Sequence, residues 1–128
     1  MKHGKIKKIG DFLVYQKAME LFHAFIEEDL PILQRTLVGR ELARQQVRSL
    51  DSVCSNMEEG YGRKAGKELK RFFVISRGSA GESKGRYKRC RKFLSEEVIR
   101  RRVGQLDEIL VMLHSLISKL RDRYFCGS

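Results

Sequence analysis

Residues 95–124 read SEEVIRRRVGQLDEILVMLHSLISKLRDRY. Ile99, Val103, Leu106, Leu110, Leu113, Ile117, Leu120 and Tyr124 recur at spacings of three and four, the stripe of an amphipathic α-helix rather than the alternation of a strand. Ser95 supplies an N-cap, and Glu96 and Glu97 fill the first turn, where carboxylates favour the helix dipole. Val98 stands where a glutamate would complete a capping box, so a plain serine cap is expected. Ile109, Met112 and Leu116 widen the apolar surface beyond one stripe.

The same periodicity recurs three times upstream. A first helix is expected after Asp11, a good N-cap residue, running to about Leu30, where Pro31 would stop it, with Val14, Ala18, Leu21 and Phe25 inward. Tyr15, Met19, Phe22 and Ile26 again exceed one stripe, a surplus that reads either as subunit contact or as a wide core-facing stripe. A connection over Pro31 to Gly39 leads to a second helix near Arg40 to Glu59, with Ala43, Gln46, Leu50, Val53 and Met57 on one side. Gly60 and Gly62 would end it, Gly60 as a left-handed cap, with Asn56 one turn earlier available to late carbonyls. A third helix is expected from Lys67 to Lys92, its seam Leu69, Phe73, Ser76, Ala80, Ser83, Tyr87, Cys90 and on to Leu94. These four helices predict an all-α chain, an antiparallel up-and-down four-helix bundle, as a single domain spanning 1–128. Within it, 1–10 is a basic N-terminal segment, 11–124 the bundle and 125–128 a tail.

At 128 residues, 41% hydrophobic and 34% charged, the chain suits one soluble core and excludes a disordered tail. No apolar run approaches the roughly 20 residues of a spanning helix, and no signal-peptide core follows the basic start, so no membrane partner and a cytoplasmic location are expected. Cys54, Cys90 and Cys126 are odd in number and lack CxxC spacing, which argues for a reducing compartment and against a zinc site. Cys54 and Cys90 fall on or beside inward stripes, as small core residues do.

The net charge of +11 is concentrated in one place. From Arg63 to Lys92 there are twelve Lys or Arg against Glu68 and Glu82, whereas residues 1–62 net zero. Such a block is the footprint of a polyanion partner, RNA or DNA, or of an acidic protein, set against the bland alternative of a solvated helix face. Arg63, Lys70, Arg77, Lys84 and Arg91 are seven apart, and from Lys70 to Arg91 they would make a ladder of about 30 Å on one helix, flanked by Lys67, Arg71, Lys88 and Lys92. These nine are the candidate nucleic-acid-binding residues. They imply salt-sensitive phosphate contacts and carry no base-reading motif. Tyr87 has the chemistry to stack on a base, although its seam position favours the core. Gly78, Gly81 and Gly85 each cost about 1 kcal/mol in a helix interior, which suggests a packing or assembly face, with a hinge as the rival reading.

Nothing points to catalysis, a cofactor or a metal. His3, His23 and His114 are isolated. Glu58 and Glu59 are adjacent and so face different directions, and Gly60 and Gly62 follow no strand and lack the third glycine of a dinucleotide loop.

Ser52-Val53-Cys54-Ser55-Asn56-Met57-Glu58-Glu59-Gly60-Tyr61-Gly62-Arg63, then Glu68, Arg71 to Ala80 and Glu82, resemble the signature of a bacterial four-helix-bundle family that includes proteins encoded in intervening sequences of 23S ribosomal RNA genes. A related branch comprises the accessory variability determinants of diversity-generating retroelements. Phe12 to Met19 resembles the family's first helix, so the likeness covers about residues 12–124. The resemblance implies a ring of five subunits without enzymatic activity. For the accessory branch it implies binding of a reverse transcriptase and its template RNA. Met57-Glu58 stands where the family more commonly has Ile-Ala, and Gly81, Gly85 and many basic residues stand where apolar and acidic ones are usual. These departures favour polyanion binding. The expectation is therefore a non-enzymatic, basic, ring-forming nucleic-acid-binding protein serving a reverse transcriptase. The alternatives are an intervening-sequence protein of unsettled role, or a protein-interaction ring with an acidic partner.

Overall fold

The structure, a computed structural model, describes residue 9 and residues 12–63 and 66–125, without the side chains of 63, 66, 67 and 121–125. The expected cap Asp11, the seam residue Tyr124, and His3 and Cys126 lie outside what is described. Among the described residues there is no strand, and the chain is a helical bundle. Its elements are α1 (Leu13–Ala24), a π turn (Phe25–Asp29), α2 (Leu30–Leu33), α3 (Leu37–Arg63), α4 (Gly66–Lys88) and α5 (Glu96–Phe125).

Pro31 does not stop the first helix. The backbone widens into the π turn, whose Leu30 N–H reaches the Phe25 carbonyl, and Pro31 then sits in the first turn of α2, where its missing N–H needs no partner. The connection that follows is only Gln34, Arg35 and Thr36, because Thr36 Oγ1 accepts from Gly39 N–H at 3.0 Å and starts α3 at Leu37 rather than Arg40. Gly39 thus lies inside α3. A Cβ there would stand 2.0 Å from the Leu33 carbonyl oxygen, so only glycine lets the two helices meet at so tight a corner.

Gly60 and Gly62 do not end the second long helix either, since α3 continues to Arg63. Gly60 is buried, and an added Cβ would lie 3.1 Å from both Phe72 Cβ and the Phe73 ring. Its role is close approach to α4, in place of the left-handed cap expected of it. Asn56 Nδ2 donates to Ser52, to its carbonyl and its hydroxyl at 2.9 Å each, and does not serve the helix end.

Along α4 the expected seam is inward, with Phe73, Ser76, Ala80, Ser83, Tyr87, Cys90 and Leu94 all buried. The helix nevertheless ends at Lys88, short of Lys92. Cys90 N–H and Phe93 N–H reach back only three residues, to Tyr87 and Cys90, so the coil tightens into turns before Ser95. Ser95 Oγ then caps α5 through Val98 N–H at 3.1 Å, as expected.

One cluster of buried apolar residues drawn from α1, α3, α4 and α5 forms the core. Ile109 is fully buried in it, and Tyr15, Met19, Phe22, Ile26, Met112 and Leu116 pack half-buried against it. Much of the apolar surplus on α1 and α5 is therefore a wide inward stripe. Among the described residues the large apolar side chains left outside are Leu13, Leu37, Val38, Ile75 and Val111.

Candidate nucleic-acid interface

Two polar systems cross this core. Between α3 and α4 the apolar seam gives way to hydroxyls: Ser76 donates to the Val53 carbonyl, and Ser79 pairs with Ser52 and Ser83 with Ser49, each at 2.7 Å. Small polar side chains satisfied in this way let the two helices approach closely without leaving buried groups unpaired. The second system ties Asp29 in the π turn to α4 and α5. Tyr87 O–H donates to Asp29 Oδ2 at 2.5 Å and Arg102 Nε to the same atom at 2.8 Å, while Arg102 Nη2 reaches Glu28 at 2.6 Å. Arg102 is 2% exposed and Asp29 1%. Burial alone would lower the Arg102 pKa, but its hydrogen bonds to Asp29 and Glu28 outweigh that and hold it above its ordinary value. Burial raises Tyr87 out of reach of ionisation, and its full enclosure in the core removes it as a base-stacking platform.

The buried cysteines are likewise structural. Burial, then Glu58 and Asp51, push the Cys54 thiol up to about 12, and burial, then Asp29, push Cys90 up to about 11. Tyr15, which donates to Glu58 at 2.6 Å, is pushed up to about 12, chiefly by that bond. Among the described residues no group of three or more His, Cys, Asp or Glu is placed to hold a metal.

The basic block occupies α4 and the turns after it. The side chains of Arg63 and Lys67 lie outside the described residues. Lys70, Arg77 and Lys84 fall on the flank of α4 that faces α5, spread along about 21 Å of helix. Two of these rungs are braced against α5: Lys84 Nζ pairs with Asp107 at 2.6 Å, and Arg77 Nη1 meets His114 Nδ1 at 3.3 Å. Arg71 is exposed, beside Glu68 at 3.8 Å and over the Phe72 ring at 5.7 Å. The fourth rung leaves the ladder, because α4 has ended before Arg91. Arg91 and Lys92 are exposed in the turns, and Lys88 and Arg91 line a cavity of about 490 Å³ with Leu94, Glu96 and Ile99. The structure thus brings three rungs together on one helix and sets Lys88, Arg91 and Lys92 at its end.

The glycines of α4 open its outer face. Nothing stands within 4 Å of an added Cβ at Gly78 or Gly81, and only the Arg89 guanidinium, at 3.5 Å, near Gly85. α4 is continuous across all three. At about 100° per residue they fall between the Lys70, Arg77 and Lys84 flank and the opposite flank that carries Arg86.

Arg86 was counted in the charge block but singled out by no pattern. It lies half-buried against α3, with Nη1 donating to Ser49 Oγ at 2.8 Å and Gln46 Oε1 at 2.9 Å. Burial and then neighbouring Arg89 hold its pKa below the ordinary value.

No curated protein and no solved structure matches the chain. The family described as 23S rRNA-intervening sequence protein matches residues 10–115, which takes in α1 through most of α5. The chain belongs to the 23S rRNA-intervening sequence protein family.

Proposed function

We propose that this chain is an antiparallel up-and-down four-helix bundle that assembles into a homo-oligomer and binds RNA through α4 and the turns that follow, without catalysing a reaction. The observation that carries this reading is the charge: +10 of the net +11 lies between Arg63 and Lys92, where Lys70, Arg77 and Lys84 share one flank of a continuous helix. Charges held at fixed separation repel one another, and phosphates relieve that repulsion. The antiparallel order is supported by the α3 to α4 pairs, in which partner numbers fall from Val53 to Ser49 as they rise from Ser76 to Ser83. The family name refers to 23S rRNA, which makes RNA the first polyanion to test. The resemblance to accessory variability determinants adds a reverse transcriptase and its template RNA as partners.

Binding of single-stranded RNA should weaken steeply with salt, with a slope of log K against log salt of about −3 if four or five phosphates are held, at roughly 0.7 each. Replacing Lys70, Arg77, Lys84 and Arg91 together by Gln should abolish most of that affinity. The melting temperature should hold, because the Lys84–Asp107 pair is a surface pair of about 0–1 kcal/mol. A flat salt response, or full affinity in the quadruple variant, would overturn the reading.

A further inference from the structure

The hydroxyl system between α3 and α4 reaches the surface in a cleft of about 230 Å³, lined by Gln45, Arg48, Ser49, Ser52, Ser79, Glu82 and Arg86. Arg86 differs from three other buried or half-buried cations. Lys17, Lys84 and Arg102 each meet a carboxylate within 3.1 Å, whereas Arg86 is held by neutral oxygens of Gln45, Gln46 and Ser49. Its Nε–H is buried and has no acceptor. The charge of Glu82 lies near enough to act on Arg86, but burial and Arg89 outweigh it. A half-buried guanidinium whose bonds go to neutral oxygens is costly, and an external anion would offset that cost. The bonds through Nη1 also fix the side chain in place, so little conformational entropy remains to be lost when an anion arrives.

We propose that this cleft is a phosphate-binding site, in which Arg86 and Arg48 take one phosphate group and the Ser52–Ser79 hydroxyl pair donates its one free proton to it at the floor. Its volume holds a phosphate with several waters, each taking about 30 Å³. The source that fits the surroundings is the backbone of the RNA strand, and in this the inference rests on the function proposed above. Gly78, Gly81 and Gly85 lie on the outer face of α4 between the Lys84 flank and Arg86, and with no side chain in the way a strand can cross the helix from one row of cations to the other. Glu82 lines the same cleft and opposes the anion, which sets a strand that brings several phosphates apart from a weakly held free ion.

The test uses the intact protein and two probes. Inorganic phosphate is titrated while the Arg86 Nε–Hε resonance is followed by NMR, the signal being assigned by its loss in Arg86→Lys. Single-stranded RNA is titrated against salt. Phosphate should shift the Arg86 signal saturably where chloride at equal ionic strength does not. Arg48→Gln, at an exposed side chain, should lower the RNA salt slope by about 0.7. Glu82→Gln should tighten both ligands by about two- to fivefold, as removal of one like charge nearby predicts, a gain that no misfolded variant can imitate. RNA that binds unmodified protein, with no phosphate shift and with Arg48→Gln and Glu82→Gln unchanged, overturns the cleft and leaves the α4 ladder standing. Saturable phosphate binding in a chain that takes no RNA keeps the site, assigns its ligand as free phosphate and overturns the function proposed above.

Discussion

Arg102 stands three residues after Ile99 and four before Leu106, in step with the apolar stripe of α5, and a cation in that register is a sign that something buried awaits it. What awaits it is Asp29, some seventy residues earlier, so the sequence marks the cation as anomalous but cannot supply its partner. Arg102→Met should leave the Asp29 carboxylate buried with the Tyr87 hydroxyl as its one remaining side-chain donor among the described residues and cost about 3–5 kcal/mol, read from denaturant unfolding. Tyr87→Phe removes one hydrogen bond to a charged group and should cost about 1.5–3 kcal/mol. A loss below about 1 kcal/mol for Arg102→Met would mean that the pair is solvated and structurally idle.

Glycine is where reading by element goes astray. Gly39 and Gly60 lower helix propensity, and the sequence offers no means of telling a helix end from a close approach, because the deciding contact lies on another element. Gly60→Ala forces a methyl against Phe72 and Phe73 and should destabilise by about 1–3 kcal/mol. Gly81→Ala, with nothing within 4 Å, should stabilise by up to about 1 kcal/mol. The two melting temperatures must therefore move in opposite directions. A shared decrease would mean that Gly81 is packed against something in solution. The end of α4 was equally hidden, since Tyr87, Cys90 and Leu94 keep helical spacing straight through the turns that replace the helix. The Ser95 cap, a strictly local device, was fully legible.

For the molecule as a whole, the inward faces of the four helical stretches were readable from periodicity, and the basic block from charge alone. Which cations are braced and which are unpaired was not, because that depends on the helix lying against each flank: α5 brings Asp107 to Lys84, while α3 brings only amides and hydroxyls to Arg86. With Ile109 inside the core, the remaining case for assembly rests on Leu13, Leu37, Val38, Ile75 and Val111 and on the family likeness. Light scattering at low micromolar protein should report several times 14.9 kDa, five times if the ring holds, and a monomer there would end the assembly reading. Finally, the π turn works as a phase correction. Leu21, Phe25, Asp29 and Leu33 are all buried and all four apart, and on a regular helix each step of four drifts by about 40°, so Leu33 would end about 120° away from Leu21. The wider turn absorbs that drift and keeps the first helical stretch facing the bundle along its whole length. Three consecutive fours on an inward stripe are thus the arithmetic signature of an inserted residue, and deleting one residue between Phe25 and Asp29 would leave spacings of four, three and four, which a regular α-helix keeps on one face without a π turn.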